Sequence, residues 1–228
     1  MGGRGEADRG MTRRIIGAAF TSLDGVIQAP GGPEEDPTGG FPFGGWLAPL
    51  GDEALGRQIA SVLTPPYALL LGRKTYEIFA AYWPWNTNAP DIAEPFNACT
   101  KYVMTRSGMA LDWANSARVA DLDALAAIKA GDGPDIVIQG SSTLYPQLIE
   151  RGLIDRLVLM TAPVVLGRGK RLFGTDAPPG TWRLIEHRIG TAGITMATYE
   201  PIGPVSTGTF AEDDPSPAEL ARRARWAD

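Results

Sequence analysis

Three times in this chain a short apolar run stops at a glycine, threonine or serine, and a helical pattern follows. The turns are Leu71-Gly72-Arg73-Lys74-Thr75, Met104-Thr105-Arg106-Ser107 and Gln139-Gly140-Ser141-Ser142-Thr143. Strands that alternate with helices in this way predict a mostly parallel sheet covered on both faces. In such sheets ligands bind beyond the carboxyl ends of the strands. Helix N-termini there present free N–H groups and partial positive charge, which suits phosphate. Glycine admits a phosphate to the backbone, and serine or threonine adds a donor. Capping alone also favours these residues, so one such turn says little and three say more.

The rest of the pattern agrees. Strands are predicted at Arg14–Phe20, Ala68–Leu71, Lys101–Thr105, Asp135–Gln139 and Arg156–Val165. Two more, at Trp182–Ile189 and Ile194–Glu200, flank a Gly190–Gly193 turn and predict a terminal antiparallel hairpin. The expected sheet has about eight strands. Helices are predicted at Asp52–Leu63, after Gly72, at Leu122–Ala130, and from Leu144 or Tyr145 to a glycine cap at Gly152. Gln28–Gly45 is rich in Gly, Pro and Asp, and loops of that length inside a domain are usually functional or mobile. Ser216-Pro217-Ala218-Glu219 predicts a capped helix over Ala218–Ala227. The expected organisation is a flexible extension at 1–12, one domain at 13–201 and a tail at 202–228.

Residue counts narrow the chemistry. One cysteine, Cys99, excludes an intrachain disulfide and a cysteine-cluster zinc site, and no metal site is expected. One histidine, His187, leaves a Ser-His-Asp hydrolase dependent on a single residue. No Gly-x-Gly-x-x-Gly follows the first strand, and Gly167–Lys170 lacks the spacing of a phosphate-binding loop. A net charge of −5 opposes nucleic-acid binding. No apolar run is long enough to span a membrane, and no signal segment is visible, so a cytoplasmic protein is expected. Arg73 and Arg106 stand at two of the strand ends, where a guanidinium can clamp a phosphate or simply be solvated.

Five motifs occur in a fixed order: Ser22-Leu23-Asp24-Gly25, Leu71–Glu77 (LGRKTYE), Lys101–Arg106 (KYVMTR), Gly140-Ser141 and Ala162–Phe173 (APVVLGRGKRLF). Together they resemble the bacterial dihydrofolate-reductase-like family that includes the reductase domain of the bifunctional riboflavin-biosynthesis deaminase-reductase. The resemblance covers about Arg14 to Pro201. It implies a three-layer α/β fold, commonly a homodimer, that reduces a C=N or C=O group of a small heterocycle with NADPH. Substrates in this class include 5-amino-6-(5-phosphoribosylamino)uracil and dihydrofolate.

By that resemblance Gly72, Arg73, Lys74 and Thr75, with Thr105, Arg106 and Ser107, hold the phosphates and adenosine of NADPH. Gly140, Ser141, Ser142 and Thr143 hold the pyrophosphate, and Ala18 and Ala19 flank the nicotinamide. Asp24 faces the substrate and is the expected proton donor, although an Asp-Gly pair after a strand is also a turn signal. Trp46, Tyr82 and Trp83 are candidate walls for a flat ring, or plain core. Folate reductases carry an acid on the helix before the second strand, where the nearest acids here are Asp52 and Glu53. Two further readings stand beside the reductase: a non-catalytic NADPH-binding protein of the same fold, and a hydrolase built on His187.

Overall fold

The computed structural model describes residues 13–175, 177–210 and 214–227. The expected 1–12 extension lies outside them. Within the described residues one sheet of eight strands runs in the order β4-β3-β2-β5-β1-β6-β8-β7. The strands are β1 (Ile15–Thr21), β2 (Ala68–Gly72), β3 (Lys101–Met104), β4 (Ser116–Val119), β5 (Ile136–Gln139), β6 (Arg156–Thr161), β7 (Thr181–Ile189) and β8 (Thr195–Gly203). The pairings from β4 to β6 are parallel, while β6–β8 and β8–β7 are antiparallel. The helices are α1 (Glu53–Val62), α2 (Arg73–Tyr82), α3 (Pro90–Ala98), α4 (Leu122–Ala130), α5 (Tyr145–Glu150) and α6 (Pro217–Arg225).

Alternate residues of the strands feed two cores. Leu69, Leu71 and Val137 pack with Leu55 of α1, Tyr76 of α2 and Phe96 of α3. Leu70, Ile136 and Ile138 pack with Leu125 of α4 and with Tyr145 and Leu148 of α5. Covered on both faces, β2 is buried at all five positions, which is why it reads as an unbroken apolar run. This is the three-layer dihydrofolate-reductase-like architecture.

Several boundaries differ from expectation for definable reasons. β6 ends at Thr161 rather than Val165, because Pro163 has no N–H to continue the ladder. β8 runs to Gly203, past the expected domain boundary at Pro201. α3 and β4 were not expected at all. α3 contains Pro90 and Pro95, and Pro95 removes one helical hydrogen bond, so its sequence reads as a break. β4 is a four-residue edge strand with three of its residues outside the core, so it carries no apolar run. No helix follows Ser107; the turn there leads through a loop into β4. Ser216 caps α6 as expected, accepting from the Glu219 N–H at 3.2 Å. The Glu219 carboxylate, however, turns forward to Arg222 and Arg223 instead of back to the cap.

Candidate functional site

A cleft of about 1410 Å³ opens along the carboxyl edge of the sheet. It is lined at once by Gly72, Arg73, Lys74 and Thr75, by Thr105, Arg106 and Ser107, by Gly140, Ser141, Ser142 and Thr143, and by Ala18 and Ala19. The three turns picked out by sequence therefore share one groove, with the two alanines of β1 at its floor.

The turns are also bonded to one another. The Ser141 hydroxyl accepts from the Gly72 N–H at 2.7 Å and donates to Thr75 Oγ1 at 2.8 Å, tying the end of β5 to the end of β2. Gly140 and Ser141 both take positive φ, 77° and 66°. Glycine is required at the first of these, since a Cβ there would sit 3.2 Å from the Thr75 methyl as well as in a strained region. The N-cap of α2 is Gly72, which offers no side chain, so the first N–H groups of that ten-residue helix have no side-chain cap. Thr105 Oγ1 and Ser107 Oγ lie 2.9 Å apart at the end of β3. Arg73 pairs with Glu77 at 2.9 Å, and Arg106 has no ion-pair or hydrogen-bond partner among the described residues.

Charge is sorted along the cleft. At the end formed by β2, β3 and α2 stand Arg73, Lys74 and Arg106, with no acid among the lining residues. At the other end, across β1, stand Glu34, Glu35 and Asp36 with Lys170 as the one cation. Gln28, Leu47, Ile59 of α1 and Leu63, the residue that ends that helix, also line the cleft.

Two loops build the acidic end. Gln28, only 5% exposed, donates from Nε2 to the carbonyls of Asp36 and Thr38, both at 2.9 Å. Its Oε1 accepts from the Lys170 N–H at 3.0 Å. Lys170 Nζ in turn pairs with the Asp36 carboxylate and reaches Thr38 Oγ1 at 2.9 Å. Burial works to raise the Asp36 carboxyl, but Lys170 and Thr38 outweigh it and the net shift is downward. Glu35 behaves in the opposite sense. Its burial pushes the carboxyl above the ordinary range, and the backbone N–H groups of Gly31 and Gly32 offset only part of that. The sequence marks this loop as functional or mobile and singles out no residue in it. The signal was present as three consecutive acids in a Gly/Pro-rich stretch.

Asp24, the expected proton donor, sits elsewhere and in a polar setting. It does not line the cleft. Its carboxylate accepts from Ser22 Oγ at 2.6 Å, Leu166 N at 3.1 Å and Gly167 N at 2.9 Å, and it meets Arg171 at 3.1 Å. The Ser22 hydroxyl, followed by the Leu166 N–H, holds its pKa down to about 2. A group so placed fastens the 166–171 loop and has no proton to give at neutral pH. The turn reading of Asp24-Gly25 describes it better.

The other expected residues divide. Tyr82 and Trp83 line the cleft; Trp46 does not, and instead braces the long loop by donating to the Gln28 carbonyl at 2.8 Å. Asp52 caps α1 through Leu55 N at 2.8 Å and holds the β7–β8 turn through Thr191 and Ala192. Gly190 makes that contact possible, since a Cβ there would lie 2.4 Å from Asp52 Oδ2. Glu53 pairs with Arg57 at the surface. Neither acid lines the cleft, where Ile59 of α1 and Leu63 at its C-cap stand instead. His187 stands exposed on the edge strand β7 and does not line the cleft, so the cleft offers nothing to the hydrolase reading. No group of three or more metal-ligating side chains occurs among the described residues, and no described helix is long and apolar enough to cross a membrane.

Comparison with known proteins agrees with this architecture. A protein from Shewanella sp. PV-4 provisionally assigned to riboflavin biosynthesis superposes with a TM-score of 0.61 at 19% identity, covering 83% of this chain and 99% of that one. A pyrimidine reductase-like protein from Corynebacterium diphtheriae gives 0.52 at 16% identity, over 83% and 92% of the two chains. Dihydrofolate reductase from Enterococcus faecalis, solved with NADP(H), gives 0.52 at 16%, over 82% and 96%. At these identities the likeness establishes the fold. In sequence, the uncharacterised protein YyaP of Bacillus subtilis is 27% identical over 198 residues, 82% of this chain and 94% of that protein. The family model of the RibD C-terminal domain matches residues 13–196, and this chain therefore belongs to that family, with a reductase-type function.

Proposed function

We propose that this protein is an NADPH-dependent reductase that delivers hydride to a C=N or C=O group of a small heterocycle. The observation that carries the reading is the single cleft, cationic at one end, that joins three strand-end turns over the floor made by Ala18 and Ala19. The cradle suits a phosphorylated dinucleotide: uncapped N–H groups on α2, consecutive left-handed residues at Gly140 and Ser141, and the hydroxyls of Thr75, Thr105 and Ser107. Bound NADPH would supply the hydride. The chain's own work is to orient the two partners and exclude water. Gly72–Thr75 and Gly140–Thr143 hold the pyrophosphate, Arg106 meets the 2′-phosphate, and the small side chains of Ala18 and Ala19 let the reactive ring lie against β1. Tyr82 and Trp83 wall the groove. A cytoplasmic setting belongs to the same reading.

Calorimetric titration with NADPH and NADH tests this directly. NADPH is expected to bind, and an Arg106→Ala variant to bind it about 10- to 100-fold more weakly while NADH affinity changes little, the loss of one charge-assisted bond. Failure of the wild-type chain to bind either cofactor removes the assignment.

A homodimer is part of the proposal. It is supported by β7, an edge strand exposed along most of its length that carries Leu184, Ile185 and Ile189 at the surface. Light scattering is expected to give twice the chain mass of 24.3 kDa, and a monomer at micromolar concentration would refute it.

A further inference from the structure

Between β3 and β4 the chain runs from Thr105 to Asn115 without a helix or strand, yet its first residues line the cleft. Such a stretch, with Gly108 in it, has wide backbone freedom of its own. One side chain from outside the loop restrains it. Arg118 of β4 donates from Nη1 to the Ser107 carbonyl and from Nη2 to the Met109 carbonyl at 2.5 Å. The strand that carries it is fixed in turn, since β4 pairs in parallel with β3 and sets Arg118 opposite Val103.

Ser107 is therefore tied through three of its groups. Its carbonyl accepts from Arg118, its N–H donates to Thr105 Oγ1 at 3.1 Å, and its hydroxyl lies 2.9 Å from the same oxygen. Arg106 stands between these two anchored residues. Its own side chain is exposed and has no ion-pair or hydrogen-bond partner among the described residues. A pinned main chain with a free guanidinium is a preorganised cation. A phosphate that reaches Arg106 does not have to order the loop as well, so less of the bond is lost to ordering. Arg118 does not line the cleft and acts only through its neighbours. Lysine cannot copy it, because a single ammonium lacks the planar pair of N–H groups that spans two carbonyls.

We propose that Arg118 is a positioning residue for the 2′-phosphate of NADPH. By fastening Ser107 and Met109 it fixes the backbone that presents Arg106, and so strengthens the preference for NADPH over NADH. The inference rests on the NADPH reading above and adds to it a residue outside the cleft.

The test titrates the full chain, Arg118→Ala, Arg118→Lys and the Arg106→Ala/Arg118→Ala double variant with both cofactors. Arg118→Ala is expected to weaken NADPH about tenfold and NADH less than about twofold, and Arg118→Lys to recover only part of the loss. The double variant is expected to bind NADPH no more weakly than Arg106→Ala alone, because one residue works through the other. Equal losses for the two cofactors, or a loss that adds to that of Arg106→Ala, would mark a residue that only holds the fold, and either overturns the proposal. Unchanged NADPH affinity in Arg118→Ala overturns it too. If Arg118→Ala fails to fold, Arg118→Lys is read by the same two comparisons. A wild-type chain that binds neither cofactor removes the cofactor reading and this inference with it, whereas normal wild-type binding with an unchanged Arg118→Ala removes the inference alone.

Discussion

Replacing Lys101 with methionine is expected to lower the stability of the fold by about 2–4 kcal/mol, read from urea unfolding at unchanged slope. Lys101 is a strand residue with no exposed surface. Its ammonium donates to the carbonyls of Phe96 and Asn97, both at 2.8 Å, and of Cys99 at 2.9 Å, and lies 4.4 Å from the centre of the Trp113 ring. It therefore caps the end of α3 from the side, where a helix leaves carbonyls without partners. Two effects oppose one another. Burial of the charge is unfavourable, and it lowers the lysine pKa against a smaller opposing effect of Cys99. Methionine relieves that cost and keeps most of the volume. It also orphans buried carbonyls, at about 1–3 kcal/mol each. Asn97 O keeps a contact with the Asn115 amide and Phe96 O only a weak one with the Cys99 thiol at 3.5 Å, which leaves chiefly Phe96 and Cys99 exposed to the loss. The orphaned acceptors outnumber the single relieved charge, and destabilisation wins. A change below about 0.5 kcal/mol would show that α3 does not need this cap.

Ser141→Ala is expected to reduce NADPH affinity about 10- to 100-fold and stability by about 1–2 kcal/mol. The hydroxyl does two things at once: it satisfies the Gly72 N–H and it orients Thr75. Alanine removes both and leaves a donor without a partner at the head of α2. The backbone cost is separate, because Ser141 holds a φ of 66° and alanine bears that conformation no better. A parallel Thr75→Val variant separates the contributions. If the serine acts mainly through Thr75, the two losses in affinity should not add. Unchanged NADPH titration in Ser141→Ala would mean that the junction between β2 and β5 is structural only.

How far the sequence reveals this molecule depends on the range of the interactions involved. The turns at Gly72, Thr105 and Gly140 are legible because strand, turn and first helical residues are adjacent in the chain and each carries its own propensity. Their convergence on one cleft follows from parallel pairing of β2 with β3 and β5, a consequence of topology that alternation already implies. Asp24 is legible as a residue but not as a role. The groups that hold it, Leu166, Gly167 and Arg171, arrive from the far end of the domain. Glu35 is obscured differently: its bonding partners, Gly31 and Gly32, are local, but nothing in three consecutive acids tells which carboxyl the fold buries. α3 and β4 escape because their own residues argue against them, and tertiary packing overrides local preference.

From one buried side chain, Gln28 makes two hydrogen bonds within the long loop and a third to the Lys170 loop. Anyone wishing to redirect this protein toward another ligand would thus find two stretches of chain, far apart in the gene, behaving as a single replaceable part. Grafting either one alone from a relative would put at risk the one bond of that amide that crosses between them, so productive chimaeras should exchange both together.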